Sequence, residues 1–405
     1  EQDVYTNTGP ARAFRAPGFP QGCWALEQTM DALAAKLGMD PLELRLKNIP
    51  LVSQTEGNQP YSSTGLADCL RKGAEEFGWK QARARANTDG RLVRGVGVAA
   101  ALWGYAGGPP ATAILKLFPD GSAHLNMGAA DLGTGTKTVM SMIVAEELGI
   151  PVEKVSLEYA DTGTTQYTDP SGGSKTVVSD GPAVRNAAAD VKTRLLQMAS
   201  AQLNVPVSEL SLRDGAVVGA AKPLPLGELA ELAAQRVVIG VGTREPNPRG
   251  VVTRPFSANF AEVEVNTATG EVKVLRLLGA HDSGRPMNLL TYRNQVFGGM
   301  VMAMGYSMTE RRILDPRDGK MVNARWQDYK LPTALDAPRE QTCVPIDAHD
   351  ESNNLGAKGL GEPATIASAA AIANAFYNAT GARITAMPIN VPQVMELLEQ
   401  RRKRS

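Results

Sequence analysis

Residues 111–149 read ATAILKLFPDGSAHLNMGAADLGTGTKTVMSMIVAEELG. The apolar stretch 111–118 predicts a strand, Pro119-Asp120-Gly121 a hairpin turn, and 122–127 the returning strand. A glycine-rich passage then leads into a predicted helix over 136–149. The same order recurs later in the chain. Residues 257–265 and 271–281 read as strands joined by Asn266-Thr267-Ala268-Thr269-Gly270, with a helix at about 291–304. Strand–turn–strand–helix occurring twice predicts an α+β fold of two lobes, each a small antiparallel or mixed sheet packed with helices. Identity between the two stretches is too weak to define a true repeat.

Outward from these units, 96–103 and 155–159 read as strands, and 183–203 as a long Ala-rich helix. Residues 21–48 predict two helices broken near Gly38-Met39-Asp40, with Pro41 opening the second. A polar loop covers 49–62, a helix 66–77, and a charged, poorly patterned linker 80–94. Beyond a loop at 245–254, a helix is predicted at 364–380, a strand at 383–388 and a final helix at 391–402. The expected division is a helical segment and linker over 1–94, a first lobe over 95–245 and a second over 246–405.

The chain has 405 residues, with 42 Lys+Arg against 42 Asp+Glu. This neutral balance argues against a nucleic-acid or polybasic membrane binder. Three Cys and three His disfavour a disulfide scaffold or a metal held by protein side chains. The uncharged stretch 363–382 reaches membrane-spanning length, but its Ala, Ser, Thr and Asn predict a buried helix instead. The sequence opens at Glu1 with no basic or apolar leader, and it reads as a fragment or processed product. The basic run 401–405 reads as a solvated helix end.

Four segments are candidates for chemistry. Gly133-Thr134-Gly135, between a strand and a helix, suits either an anion at the helix start or a plain tight turn. Its spacing fits neither a P-loop nor a dinucleotide fingerprint. Pro170-Ser171-Gly172-Gly173-Ser174-Lys175-Thr176 offers close backbone approach and hydroxyl donors, or is a surface loop. In Lys358-Gly359-Leu360-Gly361-Glu362-Pro363, Pro363 suits the first helical position and puts Glu362 at the N-cap. There the helix dipole would favour an ionised carboxylate, as a general base requires, unless Glu362 is only a cap. Finally, a guanidinium in the segment Arg12–Gly22, which holds Arg12 and Arg15, could bind an anionic or carbonyl-bearing ligand, or be a solvated loop arginine. No Gly-x-Ser-x-Gly elbow supports a serine hydrolase.

In order and spacing these segments resemble the molybdenum hydroxylases, namely the molybdopterin-binding large subunit of the xanthine dehydrogenase/aldehyde oxidase family. Asp40-Pro41-Leu42-Glu43-Leu44-Arg45 and Gln295-Val296-Phe297-Gly298-Gly299 fall in register too, and the likeness runs over nearly the whole chain. The resemblance implies a two-lobed molybdopterin-binding domain. Glu362 would be the base that deprotonates the hydroxyl on molybdenum, whose oxygen attacks the substrate carbon while hydride passes to a sulfido ligand. Arg15, Gly133, Thr134, Gly135, Gly172, Gly173, Ser174, Thr176 and Gln295 would contact the cofactor, and no side chain would ligate the metal directly. Pro17 stands where purine-oxidising relatives carry an aromatic, so an aldehyde is favoured over a purine. Trp103 and Tyr105 could supply the other substrate wall, or be core aromatics.

The likeness is to the C-terminal half of the family's large subunit. Its first half carries a Gly-Gly-x-Phe-Gly motif, and no such stretch precedes Arg15. Partners implied are that N-terminal half, an iron–sulfur subunit and an FAD subunit, with iron–sulfur and FAD confined to them. The cofactor expected is molybdenum–molybdopterin, as its cytosine dinucleotide. The expected reaction is oxidation of an aldehyde, or hydroxylation of an N-heterocycle, with water as oxygen source. The rival reading is a non-catalytic subunit- or nucleotide-binding domain without redox activity. The cytoplasm is the expected location, with periplasmic co-export by a partner as the variant.

Overall fold

Two strands carrying glycine at alternate positions set the architecture. In the computed structural model, which describes residues 12–86 and 90–403, Leu92–Leu102 and Val238–Thr243 belong to separate four-stranded sheets. Alternate residues of a strand face one side, so Gly95 and Gly97 form one bare stripe, and Gly240 and Gly242 another. An Ala-rich helix lies along each stripe. A Cβ at Gly97 would stand 2.2 Å from the Ala371 carbonyl oxygen and 2.3 Å from the Ala375 nitrogen. At Gly242 the distances are 2.1 Å to the Ala183 oxygen and 2.2 Å to the Ala187 nitrogen. Helices Ser368–Thr380 and Thr176–Leu203 therefore meet their sheets backbone to backbone.

The first sheet runs in the order Val238–Thr243, Thr112–Leu117, Ala123–Met127, Val155–Tyr159. Its last pair is parallel, as the intervening helix Thr136–Leu148 requires. Buried and exposed residues alternate along Val238–Thr243, because helices cover one face only. Leu115, Leu125, Met140, Val144, Val184 and Leu195 fill that core.

The second sheet orders Glu340–Ile346, Val272–Asp282, Phe256–Asn266, Leu92–Leu102. Helices cover both of its faces. Ser368–Thr380 and Leu289–Met308 pack with Ala99, Ala261, Val263 and Phe376 on one side. On the other, Leu66–Phe77 and Trp79–Ala84 pack with Val96, Val98, Phe260 and Leu278.

The strand near residue 96 falls in the first lobe by sequence position, yet it pairs antiparallel with Phe256–Asn266 of the second sheet. Burial explains the pairing. Val96–Ala99 is buried without interruption, so this strand needs a sheet covered on both faces. Val238–Thr243, unforeseen in the sequence, takes the vacated edge by pairing with Thr112–Leu117.

Other expectations also changed. The linker 80–94 includes most of a helix, Trp79–Ala84, and residues 87–89 lie outside the described residues. Trp79 is buried, and its Nε1 donates to both carboxylate oxygens of Asp40 at 3.2 Å. The 49–62 loop contains a ribbon of Val52–Ser53 with Gln59–Pro60. No strand forms at 383–388; Ile384 and Ile389 enter the core from irregular backbone. The uncharged stretch is a short 3-10 turn, Pro363–Thr365, followed by the deeply buried Ser368–Thr380. Among the described residues no helix is long and apolar enough to cross a membrane. Helix Val391–Arg402 ends the described fold, and the last two residues of the basic tail lie outside it.

Candidate active site

The seam between the lobes encloses a cavity of about 310 Å³. Residues within 130–139, Gly133 excepted, and within 172–177 line it from the first lobe, others within 283–295 and 358–362 from the second, and Arg15 reaches in from the N-terminal segment. Among the described residues no three His, Cys, Asp or Glu side chains converge as a metal-binding group.

Glu362 occupies the N-cap of the 3-10 turn with Pro363 at its first position, but its side chain does not cap. Oε1 accepts from the Ala16 N–H at 3.3 Å. Oε2 is buried without a hydrogen-bond partner. The expected dipole effect is overruled: burial pushes the carboxyl above its ordinary range, and the Ala16 N–H and Arg15 cation pull it only partly back. The reason is local. The turn after Glu362 has three residues and breaks before Ser368, so few peptide dipoles align behind the carboxylate. The outcome is a strengthened base with one oxygen free to take a proton.

Several contacts fix this carboxylate. Ser174 Oγ accepts from the Glu362 N–H at 2.5 Å. Arg15 Nε donates to the Gly361 carbonyl, and its second arm donates to Gln295 at the side-chain oxygen (3.0 Å) and the backbone carbonyl (3.2 Å). Gly359 is obligatory, because a Cβ there would stand 2.3 Å from the Ser174 carbonyl oxygen. Gly172, Gly173, Ser174 and Thr176 all line the cavity, as do Arg15, Thr134, Gly135 and Gln295.

Four predicted residues lie outside the lining. Gly133 has a left-handed φ of 88° and nothing near its α-carbon side. Trp103 is 1% exposed, and its Nε1 donates to the Gly173 carbonyl at 2.7 Å. It braces the Gly172-Gly173 loop from behind, with Phe19 and Tyr105 against its ring. Tyr105 is more than half exposed beside Gly173, and Pro17 is exposed. The loop thus separates the aromatic pair from the cavity they were expected to wall.

The Gly133-Thr134-Gly135 turn also resolves between its two readings. Asp131 Oδ1 accepts from the N–H groups of Gly133, Thr134 and Gly135 at 2.9, 3.0 and 3.2 Å, and Oδ2 from Lys137. The chain's own carboxylate fills the anion site. Desolvation opposes ionisation here, but the four donors outweigh it and hold the carboxyl below its usual range. Asp131→Ala should cost about 1–2 kcal/mol, as loss of a strong cap does, read as a lower Tm by calorimetry.

Behind the glycine loop, Asp180 is buried, with Oδ1 accepting from Thr168 Oγ1 at 2.5 Å and Oδ2 unpartnered. Burial pushes its pKa from 3.8 to about 6. A raised carboxyl stabilises the fold below its unfolded pKa and loses that contribution as pH climbs through the folded one. The Tm advantage of Asp180→Asn should therefore grow between about pH 4 and pH 6, then level off. Its ceiling is about 3 kcal/mol for a shift of this size. A constant difference across that range would remove Asp180 as the titrating group.

Sequence reasoning passed over Lys358, Asn288 and Thr291. Lys358 lines the cavity and forms an ion pair with Asp282. Asn288 caps helix Leu289–Met308 through the Leu290 and Thr291 N–H groups. Its position ahead of an apolar helix was the available signal.

Family models described as molybdopterin cofactor-binding domain match residues 72–338 and residues 2–49. The xanthine dehydrogenase molybdenum-binding subunit of Escherichia coli O157:H7 is 34% identical, covering 97% of this chain and 54% of its own. The aldehyde oxidoreductase molybdenum-binding subunit PaoC from the same organism is 33% identical over 95% of this chain and 52% of its own. Reconstituted CO dehydrogenase from Oligotropha carboxidovorans superposes with a TM-score of 0.84 at 24% identity, covering 96% of this chain and 52% of that one. The last likeness shows the fold. The chain spans about half the length of the curated relatives it matches.

Proposed function

Because the chain belongs to the molybdopterin cofactor-binding family, as a portion of its xanthine dehydrogenase and aldehyde oxidoreductase large subunits, we propose that it forms the base-bearing half of a molybdenum hydroxylase active site. The reaction proposed is oxidation of an aldehyde, or hydroxylation of an N-heterocycle, with water as oxygen source. One observation carries this reading: the cavity wall presents a carboxylate, Glu362, whose Oε2 is buried, unpartnered and made more basic by burial.

The cavity's residues fit the cofactor. Gly172, with nothing near the place of an added Cβ, and Gly173, with a left-handed φ of 64°, present bare backbone to the cavity that a bound group can approach closely. Hydroxyls of Thr134, Ser174 and Thr176, the Gln295 amide and the Arg15 guanidinium supply polar contacts. When bound, the molybdenum–pterin group supplies two-electron redox chemistry and oxygen transfer to carbon. Glu362 Oε2 accepts the proton released in that chemistry. The Ala16 N–H and Arg15 keep the carboxylate oriented, and Ser174 holds its backbone.

The cytosine dinucleotide is the proposed cofactor form. Proposed partners are the N-terminal half of the large subunit and subunits carrying iron–sulfur clusters and FAD. The cytoplasm is the proposed location, with the periplasm reached by co-export. The test is metal analysis and an aldehyde panel on the full-length subunit, matured with its partners. Bound molybdenum with aldehyde turnover supports the reading. Metal-free protein after competent maturation would leave a non-catalytic binding domain in its place.

A further inference from the structure

Two glycines stand between Lys358 and Glu362, so the chain itself does little to fix where the carboxylate sits. Something outside the local backbone must set the start of this segment. Lys358 meets that need. Its side chain is fully buried, and Nζ lies 2.7 Å from Asp282 Oδ2, which is equally buried. The ammonium also lies 5.7 Å from the centre of the Phe256 ring. The pair is thus sealed from solvent, while Lys358 lines the cavity.

Asp282 is an unusually fixed counter-ion. It ends the strand Val272–Asp282. Oδ2 also accepts from the Gly65 N–H at 2.7 Å, and Oδ1 from the Gly284 N–H at 3.1 Å. Gly65 itself must lack a side chain, since a Cβ there would stand 2.9 Å from Asp282. The backbone next to Lys358 is stitched to the same turn. The Lys358 N–H donates to the Ser283 carbonyl at 2.6 Å, and the Arg285 N–H to the Gly356 carbonyl at 2.7 Å. One end of the Lys358–Glu362 segment is therefore anchored to the second sheet. The other end is held by Ser174 and Arg15, from outside that sheet.

A buried ion pair is a poor device for stability alone, because apolar replacement of both partners is often neutral or stabilising. Its geometric precision is what a cavity wall can use. We propose that the buried Lys358–Asp282 pair is a positioning device that sets where the Glu362 carboxylate stands in the cavity. The proposal rests on the reading of Glu362 as the proton acceptor. Lys358 and Asp282 act through Glu362 and touch no reacting atom.

The test uses the full-length, matured enzyme with three variants: Lys358→Met, Lys358→Met/Asp282→Asn and Glu362→Gln. Lys358→Met strands a buried carboxylate and is expected to lower Tm strongly. The double variant removes both charges and should recover most of that Tm. In the double variant, kcat is expected to stay at least tenfold below wild type, with the pH profile of kcat displaced. Hydrogen exchange at the 359–362 amides should quicken about tenfold, while the Ser368–Thr380 amides stay as in wild type. The exchange reading needs no turnover. If the double variant recovers both Tm and kcat to within twofold, with exchange at 359–362 unchanged, the pair is a stabiliser only and the proposal is overturned. Unchanged kcat in Glu362→Gln would instead overturn the proton-acceptor reading, and the exchange result would still judge the positioning.

Discussion

Glu362→Gln should lower kcat by about 10²–10⁴-fold, the contribution of a positioned general base, while molybdenum and pterin content stay near wild type. The side chains are nearly isosteric, so the Ala16 N–H retains an acceptor and the Ser174 contact to the Glu362 N–H is untouched. What disappears is the lone pair at the unpartnered Oε2. An amide nitrogen there can donate but cannot accept a proton. Steady-state kinetics with metal analysis on the same preparation separates loss of chemistry from loss of cofactor. Turnover unchanged in a fully loaded variant would remove Glu362 from the reaction. Wild-type kcat should also fall on the acid side at a pH above the ordinary glutamate range, because burial raises this carboxyl.

The second large effect concerns the fold. Gly97→Val and Gly242→Val should each destabilise by about 3 kcal/mol or more, at the upper end of overpacking penalties. Relief by side-chain rearrangement is not available at either site. The atoms in the way are helix backbone: Ala371 and Ala375 over Gly97, Ala183 and Ala187 over Gly242. Each helix would have to lift off its sheet. Gly22→Ala is the control, since Gly22 lies inside helix Phe19–Leu37 with nothing near an added Cβ. It should gain about 0.5–1 kcal/mol from reduced chain entropy. Thermal unfolding of the three full-length variants measures all of this; equal shifts would show that the close contacts do not govern stability.

The legible parts of this protein were those whose signal is local. The hairpin through Pro119-Asp120-Gly121, helix Leu66–Phe77 and the final helix were readable because turn residues and apolar spacing state them within a dozen residues. Glu362 stood out as a candidate because Glu362-Pro363 lies next to an uncharged run, and the structure places its carboxylate on the cavity wall. Strand pairing was not. Nothing near residues 92–102 says that they lie beside 256–266; the clue is uninterrupted burial, visible only once both faces are covered. Trp103 failed as a cavity wall for a similar reason. Its indole N–H found the Gly173 carbonyl, and the loop closed between ring and cavity. Asp131 was not legible, because the glycines are the local signal, whereas the carboxylate just ahead of them consumes their N–H groups. The role of Lys358 was not legible, since its partner Asp282 is distant in sequence.

The bare stripe at Gly95 and Gly97 has a mechanical meaning as well. On the same side of that strand, Val93 and Ala99 stand at either end of the glycine pair and pack against the same core. Helix Ser368–Thr380 therefore rests in a notch with a raised wall ahead and behind. Sliding by one residue, about 1.5 Å, would drive its backbone onto a side chain. The helix follows the Glu362 turn by only a few residues, so the carboxylate is indexed to this detent. A strand far away in the sequence thus acts as the datum against which the Glu362 carboxylate is registered.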